Sequence, residues 1–141
     1  MQDPYDLKRF VAAQEGTYDR ALAELREGRK RSHWMWFIFP QIAGLGHSDM
    51  ARRYAIAGTD EALAYLKHPL LGPRLEACAQ AMLQHTDSSA RQILGSPDDL
   101  KLRSSMTLFS AVAPERMMYA QVLNAFYNGE ADPATLARLQ H

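Results

Sequence analysis

One cysteine in 141 residues, Cys78, leaves no partner for an internal disulfide and no thiolate pair for a zinc site. The longest unbroken apolar run is six residues, Trp34 to Phe39, against the roughly 20 that a membrane-spanning helix needs. Neither sign of charge is in excess, since sixteen Lys and Arg balance sixteen Asp and Glu. A general nucleic-acid or membrane-surface binder carries a positive surplus, so both classes are disfavoured. Period-two alternation is almost absent, and with it any hairpin signal. The opening MQDPYDLKRF lacks the apolar core of a secretory signal, so the cytoplasm is the expected compartment. Internal repeats, low-complexity tracts, a P-loop and a GxSxG elbow are also missing. The five histidines, His33, His47, His68, His85 and His141, form no i, i+4 pair and no HExxH. No metal site is expected.

What is present reads as one soluble helical domain. At 47% hydrophobic and 23% charged residues the composition is that of an ordinary globular chain, and residues 1–141 suit a single domain. Helix start and stop signals recur along it. Asp3-Pro4 opens a helix carrying Leu7, Phe10 and Val11, and Thr17 caps a second that Gly28 ends near Glu27. Ser48 caps a short helix to Tyr54, and Thr59 opens one to Lys67. Pro69 begins a longer helix with a Leu71, Leu75, Cys78, Met82 stripe. Asp87, Ser96-Pro97-Asp98-Asp99, Pro114 and Asp132-Pro133 mark four more starts. The expected fold class is all-α, a compact multihelical domain of about seven to nine helices without substantial sheet. Trp34 to Phe39 is short enough to be helix or strand; Ser32 as a cap and the helical neighbours favour a short buried helix.

The densest chemistry lies between Arg29 and Ser48, where three cations, Arg29, Lys30 and Arg31, meet the aromatic run. Trp34 and Trp36 offer flat faces for stacking, although six large apolar side chains are also what a core centre looks like. His33 brings an imidazole, and Gln41 follows the run. Gly44 and Gly46 precede Ser48 at a helix start, where backbone N–H groups can converge on an anion. The dinucleotide fingerprint fails, because position 49 is Asp. A plain tight turn explains the same glycines.

The helix from Pro97 to Val112 carries an anomaly. Leu102, Met106, Phe109 and Val112 share its apolar face, yet Asp98 and Ser105 fall within that arc and Lys101 at its edge. Buried polar groups need partners, so these three form an internal network or line a cleft. Asp99, Arg103 and Thr107 occupy the opposite side at i, i+4 spacing, which suits a surface ion pair. Cys78 reads as a small core residue. For a catalytic carboxylate the spacing offers Asp98 or Glu76 without choosing between them.

RFVAAQ (9–14), YDRALAELREGRKRSHWMWFIFPQIAGLG (18–46), EALAYLKHPLLGPRL (61–75) and PDDLKLRSSMTLF (97–109) together resemble the bacterial family catalogued as domain of unknown function 1810. The resemblance covers nearly the whole chain and implies an all-α single domain. It brings no established activity. Some relatives are labelled calpastatin, an inhibitor whose disordered, repetitive chain is unlike this one. Motifs typical of the family fall on Lys30 to Gly46, on His68-Pro69 with Gly72 and Arg74, and on Lys101 to Phe109. A fainter similarity, in scattered aromatic and small polar residues, is to NADAR-type helical proteins that act on ADP-ribose derivatives.

The resulting expectation is a pocket between the 30–48 segment and the 97–110 helix for a small anionic ligand, such as a nucleotide or sugar phosphate. Its candidate residues are Lys30, Ser32, His33, Trp34, Trp36, Gln41, Gly44, Gly46, Ser48, Lys101, Arg103, Ser105 and Thr107. His33 and Asp98 would handle protons if chemistry occurs. The alternatives are a non-catalytic interaction module and a hydrolase acting on ADP-ribose-like substrates. Cofactor and oligomeric state are left open.

Overall fold

The computed structural model describes residues 3–139, which form ten helices. They are α1 (Lys8–Gln14), α2 (Tyr18–Glu27), α3 (Met35–Ile38), α4 (Asp49–Arg53), α5 (Thr59–Lys67), α6 (Leu71–Leu83), α7 (Ala90–Leu94), α8 (Asp98–Val112), α9 (Met118–Tyr127) and α10 (Pro133–Leu139). The all-α class holds, and the count exceeds the seven to nine expected. The aromatic run forms a helix of a single turn, α3, and several of the other helices are nearly as short. Such short helices are stabilised by tertiary packing, because isolated ones of this length do not form in water.

Local signals explain most boundaries. Gly28 ends α2 in the left-handed conformation, φ 80°. The Ser48 hydroxyl accepts from the Ala51 amide at 3.1 Å and caps α4. The start before α7 is Ser89, not Asp87, and it forms a full capping box with Gln92. α9 begins at Met118, one turn after Pro114, since residues 114–117 form a turn instead. Asp3 caps at a distance, its carboxylate accepting from Leu7 N and Lys8 N.

Helices α6 and α8 are the frame on which the others pack. α6 touches α2, α5 and α9, while α8 touches α5, α7, α9 and α10. The expected stripe of α6, Leu71, Leu75, Cys78 and Met82, is buried. An aromatic chain runs through the core as Phe37, Tyr54, Phe10, Tyr65, Phe109 and Tyr119, with successive ring centroids 5.1–5.8 Å apart. Such tilted and edge-on pairs each add about 0.5–1.5 kcal/mol beyond burial. Among the described residues the only β-type pairing is a parallel bridge between Ile42 and Ile56. It secures the 41–46 loop through Ile56 N to Gln41 O and Ala43 N to Ile56 O.

Two polar hubs brace the α1 side. Arg9 donates to the carbonyls of Tyr5, Asp6, Arg53 and Ala55 and to Glu61 at 2.8 Å. Buried Gln14 joins the Phe37 carbonyl, the Tyr65 hydroxyl and Arg74. The RFVAAQ motif is therefore largely architectural.

Candidate functional site

The site begins with a carboxylate on the buried face of α2. Glu24 accepts from Arg31 N at 2.8 Å, Ser32 N at 3.1 Å, Ser32 Oγ at 2.7 Å and Trp34 Nε1 at 2.9 Å. Burial pushes its carboxyl upward, but these donors outweigh it and bring the pKa down to about 2. This converging set folds the chain back after Gly28 and fixes the path of residues 30–34. Ser32 thus serves Glu24 and does not cap α3, whose N-cap position is Trp34.

The fold-back brings Lys30 to α8. Its ammonium pairs with Asp98 Oδ2 at 2.9 Å, with side-chain exposures of only 8% and 18%. Lys101 approaches the other oxygen, Oδ1, at 3.6 Å, longer than a good charge-assisted bond. Lys30 also lies over the Trp34 ring at 5.1 Å, and Lys101 over Trp36 at 5.3 Å. Two cations from separate stretches thus converge on one carboxylate, each with an indole beside it. Of the network and the cleft considered for Asp98 and Lys101, Asp98 belongs to the network and Lys101 to both.

Beside this cluster runs a groove of about 280 Å³ between the 41–46 loop, the first half of α8 and the start of α10. Gln41, Gly46, Lys101, Ser104 and Asp132 supply its polar lining. Burial raises the Asp132 carboxyl, but hydrogen bonds from Thr135 and Ser104 hold it lowered overall. Those bonds measure 2.6 and 2.9 Å and tie α10 to α8. The Arg138 guanidinium, one turn beyond Ala134 of the lining, packs on Gly44, whose φ of +97° strains any other residue. Gly46 is needed for contact as well, since a Cβ there would lie 2.6 Å from that of Ala51.

The other expected site residues lie elsewhere. Trp34 is fully buried and offers no face to a ligand, whereas Trp36 is half-buried. His33 is exposed in a bend and does not line the groove. Arg103 makes no ion pair with Asp99; it donates to the carbonyls of Glu130 and Ala131. Thr107 is buried, donating to Arg103 O and accepting from Asp132 N. The supposed solvent side of α8 is in fact covered by the α9–α10 connection. Ser105 is fully buried with no hydrogen-bond partner for its hydroxyl, so it joins neither network nor cleft. Cys78 is buried and burial pushes its thiol up to about 12, which makes it inert. No group of three or more His, Cys, Asp or Glu suited to a metal occurs among the described residues, and His141 lies outside them.

A family model described as "Protein of unknown function (DUF1810)" matches residues 4–139. The chain belongs to that family. The crystal structure of the conserved hypothetical protein Rv1873 from Mycobacterium tuberculosis is similar to it, with 50% sequence identity, 99% of each chain covered and a TM-score of 0.97. No curated protein matches. No helix among the described residues is long and apolar enough to cross a membrane.

Within the family stretches, several residues have clear mechanical tasks. Gly72 lets α6 start against the Leu66 carbonyl, where a Cβ would collide. His68 Nδ1 accepts from Leu70 N and Leu71 N and so caps α6. Sequence reasoning missed Glu24, Asp132 and Arg138. Glu24 was open to the test applied to α8, because it sits on the inward arc of α2 with Ala21, Leu22 and Leu25. Asp132 registered only as a helix start, and nothing local reveals that Arg138 reaches Gly44.

Proposed function

We propose that the chain binds a small anionic ligand in the groove between the 41–46 loop and α8. One observation carries this reading: Lys30 and Lys101 share a single carboxylate, so one positive charge is left over. The more exposed ammonium, Lys101, stands on the groove wall. Asp132 lies on the same wall, but its charge is directed toward Ser104, Thr135 and the start of α10. Arg138 adds a cation close to the same loop.

Size narrows the ligand. The groove of about 280 Å³ falls below the roughly 300–1,000 Å³ of sites that enclose drug-sized molecules. A phosphate, a small carboxylate or a sugar phosphate suits it better than a whole nucleotide. A hydrolase acting on ADP-ribose-like substrates gains no support, since both Asp98 oxygens face ammonium groups and Asp132 is occupied. An interaction module is the second reading. It is favoured by Leu100, 56% exposed on the ridge between this groove and a depression lined by Phe126 and Tyr127.

Thermal shifts against phosphate, small carboxylates, sugar phosphates and nucleotides test the proposal. A ligand at 100 times its Kd adds about 2.7 kcal/mol of stability, and Lys101→Ala should abolish that gain. A flat panel, or a hit that Lys101→Ala leaves intact, rejects it. Loss of partner binding in Leu100→Glu would then support the interaction module.

A further inference from the structure

A separate cavity of about 610 Å³ lies between α1, the C-terminal half of α5 and the segment that leads into α1. It is more than twice the volume of the Lys101 groove and within the range of sites that hold small molecules. We propose that this cavity binds a molecule with an apolar body and one carboxylate, held by His68 and Lys8.

The apolar part follows from the walls. Leu7 and Val11 stand one turn apart on the α1 side, Ala64 lies opposite on α5, and Pro4 and Tyr5 complete the lining. Ala64 is half-buried and short, and its small side chain leaves the hollow unfilled. Tyr5, Val11 and Ala64 also pack against the main core, so the floor of the cavity is part of the folded interior.

The polar part follows from the hydrogen bonding of one ring. His68 Nδ1 accepts from Leu70 N at 3.1 Å and from Leu71 N at 3.2 Å. A nitrogen that accepts two amide hydrogens carries none itself, so in the neutral ring the hydrogen is on Nε2. That N–H diverges from the α6 backbone, has no acceptor among the described residues and belongs to a residue of the cavity lining. Capping of α6 thus accounts for one ring nitrogen and leaves the other as a donor. Lys8, an exposed residue that also lines the cavity, makes no ion pair among the described residues. Asp3 is the one anion on the lining, and its two oxygens accept from the Leu7 and Lys8 amides at 2.8 and 3.1 Å. Both oxygens are thus engaged by the start of α1. Lys8 and His68 also attract the Asp3 charge, but neither side chain hydrogen-bonds to it, so both keep donors for the ligand. A carboxylate is an acceptor for both, and the aliphatic walls take the attached body.

Octanoate is the probe, titrated into ¹⁵N-labelled full-length protein, with 1-octanol as the uncharged control. Expected are shift changes confined to the amides of Leu7, Val11, Ala64 and His68 and their neighbours, with octanol binding at least tenfold more weakly. Ala64→Trp fills the hollow and should abolish binding. Should that variant fail to fold, Val11→Phe narrows the same space and should weaken it. His68→Asp keeps an acceptor for the α6 amides but carries no donor at neutral pH, so it should weaken octanoate and leave octanol unchanged. Equal binding of octanol overturns the carboxylate assignment. Shifts elsewhere, unaltered binding in the filled variants, or no saturation by millimolar octanoate overturn the site.

Discussion

The Trp34 indole N–H points at Glu24 Oε1, 2.9 Å away, and both side chains are buried. With Ser32 and the Arg31 amide on the same carboxylate, this bond turns the chain after α2 and delivers Lys30 to α8. The cation cluster beside the groove therefore depends on a carboxylate that lies outside it.

Glu24 should give the protein a pronounced acid limb. Its folded pKa of about 2 lies below the ordinary 4.5, a difference of about 3 kcal/mol at 1.36 kcal/mol per unit. The sign is that of a depressed carboxyl: the stabilisation is full above pH 4.5 and disappears as pH falls toward 2. Glu24→Gln turns an amide NH₂ toward groups that are themselves donors. It should lower stability at pH 7 by about 2–3 kcal/mol and flatten the slope between pH 4.5 and 2. Urea melts at a series of pH values check both effects.

Lys30 and Lys101 should separate in their effects on folding. Lys30 is nearly buried and holds Asp98 at 2.9 Å, so Lys30→Ala leaves a poorly solvated carboxylate and should cost about 2–3 kcal/mol. Lys101 is about a quarter exposed with its partner at 3.6 Å, and Lys101→Ala should cost under about 1 kcal/mol. Equal losses in chemical denaturation would contradict this division of roles. A small loss at Lys101 is also what makes that variant usable in the ligand test.

Gly72 should reverse the usual helix rule. Replacing a helical Gly by Ala ordinarily gains up to about 1 kcal/mol. Here the new Cβ would strike the Leu66 carbonyl oxygen, a backbone atom at the end of α5 that cannot swing aside. Gly72→Ala should destabilise by about 1–3 kcal/mol, read as a lower Tm with the helical content retained.

Cys78 should stay silent toward thiol reagents in the folded protein. It is buried, and burial raises its thiol pKa to about 12, which the nearby Arg26 and Arg74 only partly offset. At pH 8 almost no thiolate is present. A colourimetric thiol assay should find one reactive group in denaturant and none in buffer; rapid native labelling would contradict the burial.

Helix punctuation and the family motifs made the all-α class legible before any coordinates, along with the α6 stripe and the burial of the aromatic run. Caps, glycines and apolar periodicity act over a few residues, which is why Gly28, Ser48 and Pro97 sit near the boundaries they suggested. The chain alone also marked the 30–48 segment and α8 as the two places where polar residues crowd apolar ones. Which of those residues face solvent was decided only by tertiary contacts. Trp34 is enclosed because Glu24, ten positions earlier, draws its indole inward. Arg103 and Thr107 are covered because the α9–α10 connection, more than twenty positions later, crosses over them. Arg138 meets Gly44 across 94 positions of sequence. Propensity and periodicity carry no information about such pairings, because they belong to the way whole helices pack and not to the residues at either end.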